Sequence, residues 1–77
     1  MSITVRYFAS LREQLGVSEA SVPTDGIHCV ADVWQRAQPD RDLPPRVLAA
    51  LNHAHASLED PVRDGDEVAF FPPVTGG

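Results

Sequence analysis

Val30-Ala31-Asp32-Val33-Trp34-Gln35-Arg36-Ala37 decides the fold, because it is the one substantial stretch with helical periodicity. Val30, Val33, Trp34 and Ala37 follow the i, i+3, i+4, i+7 spacing of an amphipathic helix. The helix should begin near Cys29 and end before Pro39, whose ring disfavours helical geometry at Gln38. On its N-terminal side, Ile3, Val5 and Tyr7 alternate with Thr4 and Arg6, which reads as a strand over Ser2 to Phe8. Ala9 to Leu15 turns helical, with Ser10 as cap, Glu13 completing a capping box and Gly16 ending the turn. Leu11 and Leu15, four apart, face the core. Ser18 to Val22 is a short edge strand stopped by Pro23 and the turn Thr24-Asp25-Gly26. On the C-terminal side, Pro39 to Pro45 is a loop. Arg46 to Asn52 holds the apolar run Val47-Leu48-Ala49-Ala50-Leu51, whose length fits a buried strand, with helix as the alternative that Ala and Leu leave open. His53 to Leu58 adds a short strand. Asp60-Pro61 and Asp64-Gly65-Asp66 are turns, and Glu67 to Phe71 is the last strand, halted by Pro72-Pro73. Strand pairs flanking one helix imply an α+β fold: a single domain over 1–77 in which a mixed sheet is packed on one side by that helix.

Seventy-seven residues, 43% of them apolar, suit one small globular domain. A chain this short buries about 60–65% of its unfolded surface, which leaves no room for an elaborate internal active site. Eleven acidic against six basic residues give a net charge of −5. That balance argues against a nucleic-acid or anionic-membrane partner, which needs clustered cations. All six cations are arginines, and with no lysine the chain offers no side-chain amine as acceptor for isopeptide or Schiff-base chemistry, only its N-terminus. The single cysteine excludes an intramolecular disulfide. Met-Ser-Ile-Thr-Val-Arg carries no apolar signal core, and no apolar run approaches the ~18–20 residues of a membrane span. The chain reads as complete, in a reducing cytoplasm.

Several residues could carry metal or catalytic chemistry. His53 and His55 are two apart and would share a strand face, whereas His28-Cys29 is remote in sequence, and no second Cys or His pair has zinc spacing. Cys29 reads as a small buried residue at the helix start, the histidines as surface residues, and no metal is expected. Asp60, Asp64, Asp66 and Glu67 have the spacing of a solvated turn, not of a calcium loop. No Ser-His-Asp or Cys-His frame and no phosphate-cradling glycine loop occurs.

The last eight residues differ: Phe70-Phe71-Pro72-Pro73-Val74-Thr75-Gly76-Gly77. Pro72 and Pro73 cannot join a ladder and favour an extended path, so 72–77 should project as a tail. Gly76 and Gly77 have no side chains, so the Gly77 carboxylate could thread a narrow channel and approach a nucleotide closely. On the strand, Val68 and Phe70 share one face and Ala69 and Phe71 the other. With the first pair in the core, Phe71 is exposed beside Pro72 and Val74. Ordering four tail residues costs roughly 4–8 kcal/mol, which glycines offset poorly. Burial of about 300 Å² of apolar surface returns about 7.5 kcal/mol. The tail therefore needs a docking face, and Ala69, Phe70 and Phe71 are the candidate partner-binding residues.

Asp64-Gly65-Asp66-Glu67-Val68-Ala69-Phe70-Phe71-Pro72-Pro73-Val74-Thr75-Gly76-Gly77 resembles the C-terminus of the small sulfur-carrier subunits of molybdopterin synthase. Val5-Arg6-Tyr7-Phe8-Ala9, Leu11-Arg12-Glu13, Gly16 and Val47-Leu48-Ala49-Ala50-Leu51-Asn52 are similar to that family too. The Pro39–Pro45 loop is shorter than in many relatives, and His53-Ala54-His55 departs from the pattern. The resemblance implies a ubiquitin-like β-grasp fold with the first and last strands parallel at the centre of the sheet. It also implies partners: an E1-like adenylyltransferase that uses ATP to adenylate Gly77, a sulfurtransferase whose sulfur displaces AMP to leave a thiocarboxylate, and the large catalytic subunit of the synthase. In that complex the thiocarboxylate would donate sulfur to cyclic pyranopterin monophosphate for the molybdenum cofactor. The chain would be a co-substrate, with no intrinsic cofactor. The alternatives are a sulfur carrier for thiamine thiazole synthesis, a ubiquitin-like modifier joined to lysines, and an interaction module with an inert tail.

Overall fold

Alternation of apolar and polar residues sets the sheet, and one helix covers it. In a computed structural model that describes residues 1–72, the elements in chain order are β1 (Ser2–Tyr7), α1 (Ala9–Leu15), β2 (Glu19–Pro23), α2 (Val30–Ala37), β3 (Leu48–Leu51), β4 (Ala54–Ala56) and β5 (Glu67–Phe71). The five strands form one mixed sheet in the order β2-β1-β5-β3-β4. Central β5 runs parallel to β1, with Tyr7 opposite Phe70, and antiparallel to β3, with Leu48 opposite Phe71. This is the β-grasp arrangement that the family resemblance implies, and the open choice over the run Val47–Leu51 resolves to strand at Leu48–Leu51.

The core lies between the sheet and α2. Ile3, Val5 and Tyr7 of β1, Val22 of β2, Ala49 of β3, and Val68 and Phe70 of β5 meet Val30, Val33 and Trp34 of α2, with Leu11 of α1 joining them. A two-residue period on the strands and a 3.6-residue period on the helix turn these positions toward one another. Leu15 packs against the cluster at its margin.

Helix ends show where local chemistry prevailed. Gly16 ends α1 with φ +74°, a left-handed conformation that glycine adopts without a Cβ penalty, and its N–H donates to the Arg12 carbonyl. The expected Ser10 cap is corrected: Phe8 is the N-cap and provides no side-chain bond, because the chain enters the helix directly from β1 and Ser10 lies inside the first turn. At α2 the cap is Cys29, and the Asp32 carboxylate accepts from the backbone N–H of His28 (3.0 Å) and Cys29 (3.2 Å). The His28 bond is the main cause that holds the Asp32 carboxyl below the usual carboxylate range. A depressed folded-state value means that this contribution to stability is present above the ordinary carboxylate pKa and is lost as pH falls through the lowered one. Cys29 is half-buried rather than fully buried, since it forms the rim of the helix start.

β3 and β4 are joined by Asn52 (φ +52°) and His53 (φ +72°), a two-residue hairpin turn with both central residues left-handed. Asn52 suits it and also stitches the turn to β5. Its N–H donates to the Glu67 carbonyl (2.8 Å), its Nδ2 donates to Asp66 (3.0 Å) and its Oδ1 accepts from the Glu67 N–H (2.9 Å). His53 therefore lies in the turn and not on the strand with His55, which corrects the shared-face expectation. Its side chain is exposed, 3.5 Å from Glu67, a pairing worth little in solvent. His53→Gly is expected to stabilise the fold by about 0.5–1 kcal/mol by removing the left-handed Cβ penalty. The check is a higher denaturant midpoint at unchanged slope; an unchanged or lower midpoint contradicts it.

Candidate functional site

The end of β5 is where a functional tail would have to be anchored, and its two faces do different things. Phe70 is 0% exposed. Its ring meets Trp34 edge-on at 5.2 Å and stacks on Tyr7 at 6.3 Å, while Tyr7 and Trp34 meet edge-on at 5.9 Å. Each aromatic pair contributes about 0.5–1.5 kcal/mol beyond area burial. The polar atoms of the trio are used as well: Trp34 Nε1 donates to the Arg41 carbonyl (3.1 Å), and the Tyr7 hydroxyl accepts from Gln38 Nε2 (3.3 Å). Burial pushes the Tyr7 phenol up, only partly opposed by the Gln38 bond. Phe70 thus clamps β5 from beneath. Its expected role in partner binding is corrected: in this register it lies beneath the sheet, out of a partner's reach.

The opposite face, away from α2, carries Ala69 and Phe71, both half-buried. Register places Arg6 and Ala50 beside Ala69 and Leu48 beside Phe71. Leu48 and Ala50 are also half-buried, and Phe8 at the end of β1 is 43% exposed, with the Arg6 guanidinium 5.9 Å from its ring centre. The Phe8 N–H donates to the Phe70 carbonyl (3.1 Å), which continues the β1–β5 ladder toward the tail. Phe71, Leu48, Ala50, Ala69 and Phe8 therefore form one apolar patch around the last rung of β5. Its other border is charged: Arg6 lies 3.7 Å from Glu19 and 3.9 Å from Glu67.

Sequence reasoning found Ala69 and Phe71 and missed Leu48, Ala50 and Phe8. The all-apolar run Val47–Leu51 reads as a buried strand, yet only Val47 and Ala49 are buried. A run apolar at every position on a sheet covered by helix on one side must expose alternate residues, and that was the available signal. Of the tail, Pro72 is half-buried at the exit of β5. Pro73, Val74, Thr75, Gly76 and Gly77 lie outside the described residues.

The remaining candidates do not converge. His53 and His55 are exposed on the β3–β4 side, and His28 and Cys29 stand at the start of α2. Among the described residues no three His, Cys, Asp or Glu side chains are placed to hold a metal. The acidic turn residues are engaged within the fold: Asp60 accepts from the Ser57 N–H and hydroxyl and Asp66 from the Arg63 N–H, both within their own turns, and Asp64 accepts from the Thr24 hydroxyl of a distant turn. Two shallow depressions of about 340 and 190 Å³ flank α2 at Gln35 and Pro39, away from the patch. Among the described residues no helix is long and apolar enough to cross a membrane. The arrangement suits presentation of a chain terminus to another protein.

Comparison with known proteins agrees with that geometry. The ThiS family profile matches residues 5–77. The molybdopterin synthase sulfur carrier subunit of Escherichia coli K12 is 40% identical, over 97% of this chain and 99% of that protein. Among solved structures, SAMP1 of Haloferax volcanii, a small archaeal modifier protein, superposes with a TM-score of 0.81 at 29% identity, covering 100% of each chain. The complex of subunits 1 and 2 of the molybdopterin-converting factor from Helicobacter pylori contains a chain that superposes with a TM-score of 0.66 at 25% identity, again over 100% of each.

Proposed function

This chain belongs to the ThiS family, and from that premise we propose that it is the sulfur-carrier subunit of a molybdopterin synthase, with the Gly77 carboxylate as its reactive group. What carries the reading is the match to a named sulfur carrier subunit over 97% of this chain, with a family profile that runs through Gly76-Gly77, on a fold whose last strand is held by the buried Phe70 just before the tail. An E1-like adenylyltransferase transfers AMP from ATP to the carboxylate, with pyrophosphate leaving. Sulfur from a sulfurtransferase then attacks the acyl carbon and AMP departs, leaving a thiocarboxylate. Bound to the large synthase subunit, the thiocarboxylate donates sulfur to cyclic pyranopterin monophosphate. The partners supply the catalytic groups. The chain supplies a tip without side chains, a β5 clamped by Phe70, and the patch around Phe71 on which a partner docks. The H. pylori subunit 1–subunit 2 complex supports assembly with a large subunit.

The direct test is incubation with an E1-like enzyme, ATP and a sulfur donor. Intact mass should show one terminal oxygen exchanged for sulfur, and no exchange by an enzyme verified on its own carrier overturns the assignment. Docking makes a separate expectation. Phe71→Ala should weaken binding to the large subunit about tenfold or more while shifting Tm by less than about 5 °C. A collapsed melting transition with unchanged affinity of the folded fraction would place Phe71 in the core.

The likeness to SAMP1 favours a second reading, a modifier joined to lysines of other proteins. Immunoblots of lysate distinguish the two: a ladder of covalent conjugates supports the modifier and a single free band the carrier.

A further inference from the structure

A carrier activated at its own terminus faces a hazard that follows from the reading above: an activated acyl group is open to any amine nearby, and the nearest amines are normally its own. The six residues 72–77 span at most ~20 Å when fully extended. Any nucleophile within that radius of the Phe71 rung meets the acyl group at an effective concentration on the order of millimolar. Three cations are placed there. Arg6 stands opposite Ala69 in the β1–β5 register. Arg46 precedes by two residues Leu48, the partner of Phe71. Arg12 follows by one helical turn Phe8, whose N–H is bonded to Phe70.

We infer that the arginine-only cation set, with guanidinium at every cationic position around the exit of β5, protects the activated carrier from acylating itself. A guanidinium keeps its charge and its ion pairs, such as Arg6 with Glu19 and Glu67, but has no free lone pair with which to attack at physiological pH. Of the remaining nucleophiles, the exposed His55 imidazole lies across Ala50 from Ala69 but can give only an acyl-imidazole, which hydrolyses to the free acid. The one amine and the one thiol are set apart. Met1, 96% exposed, stands at the start of β1. Because β1 is parallel to β5, that is the opposite end of the sheet from the tail exit. The Cys29 thiol is half-buried at the start of α2, beneath the sheet and away from the patch. The avoided reaction is aminolysis: an amine lone pair attacks the Gly77 carbonyl carbon, a C–N bond forms, the bond to the leaving group breaks, AMP or thiolate departs with the electron pair, and the amine proton goes to solvent.

The full chain prepared as a C-terminal thioester tests this without any activating enzyme, so the outcome is independent of whether the thiocarboxylate assignment holds. In mildly alkaline buffer the wild-type thioester should hydrolyse to the free acid. Arg46→Lys and Arg12→Lys should instead give an internal amide, one water lighter than the acid and mapped by peptide sequencing to the new lysine, in a yield at least about tenfold above wild type. Arg63→Lys, at the far end of β5 beside Asp66, should stay near the wild-type level. The inference is overturned if neither Arg46→Lys nor Arg12→Lys exceeds wild type, if wild type itself closes on Met1 or Cys29 as efficiently, or if Arg63→Lys matches Arg46→Lys.

Discussion

Phe70→Ala should cost about 3–5 kcal/mol of stability and leave little folded protein at physiological temperature. The residue is wholly buried and contacts both other aromatic rings of the core. Truncation removes the transfer energy of a phenyl ring and leaves a cavity between sheet and helix that Trp34, tied to the Arg41 carbonyl, cannot swing to fill. A domain of 77 residues has roughly 4–10 kcal/mol of total stability, so one substitution consumes a large part of it. The expected fall in Tm is at least ~15 °C. Phe71→Ala, one residue further and on the other face, is the control and should fall by less than about 5 °C. Equal losses at the two positions would contradict the assignment of faces. The contrast also bears on function: Phe70 affects any partner only by holding β5 in place, so loss of binding in Phe70→Ala should track the unfolded fraction.

The faces of β5 were legible in the sequence because alternation is a local property. Val68 and Phe70 on one side, Ala69 and Phe71 on the other, follow from a period of two once the strand is recognised. The limits of Glu67–Phe71 were equally plain, set by the Asp-Gly-Asp turn before and the two prolines after. Strand pairing was not legible locally. That β5 lies between β1 and β3, and so brings Leu48 and Phe8 to Phe71, depends on contacts more than twenty residues apart in the chain, which no periodicity encodes; only the family resemblance supplied the parallel central pair. Caps failed for a different reason. Ser10 and Glu13 have capping-box spacing, but β1 delivers the chain into the helix two residues earlier, and tertiary geometry overrides a preference worth about 1 kcal/mol. At α2 the local signal was present but went unused: Asp32, three residues after Cys29, has the spacing of a carboxylate that reaches back to the cap, and it accepts from the Cys29 N–H. The tail was legible as composition, in two prolines and two glycines, and its chemistry comes from kinship rather than geometry.

The largest functional effect should come from a change that alters none of residues 1–72. A chain with one alanine appended after Gly77 is expected to lose adenylation and thiocarboxylate formation by at least about 10²–10³-fold. Under the proposed docking through the patch at the exit of β5, the body of the protein would fix where residue 72 stands relative to the partner, and the number of residues beyond it would fix where the acyl carbon falls. One more residue moves the carboxylate by up to ~3.5 Å, about the whole separation allowed between reacting atoms in an attack-ready complex, where a misplacement of ~1 Å already costs ~10²-fold. The added methyl also widens a tip that is otherwise only backbone. Melting temperature and affinity for the large subunit should stay near wild type, because the patch and the aromatic trio are unaltered, so the variant should compete with the normal carrier while transferring no sulfur. The readout is thiocarboxylate mass and sulfur transfer with the purified partners, accompanied by intact mass to establish that the extra residue has not been trimmed. Full activity in an untrimmed chain would mean that reach does not define the reactive group, and the assignment of Gly77 would have to be abandoned.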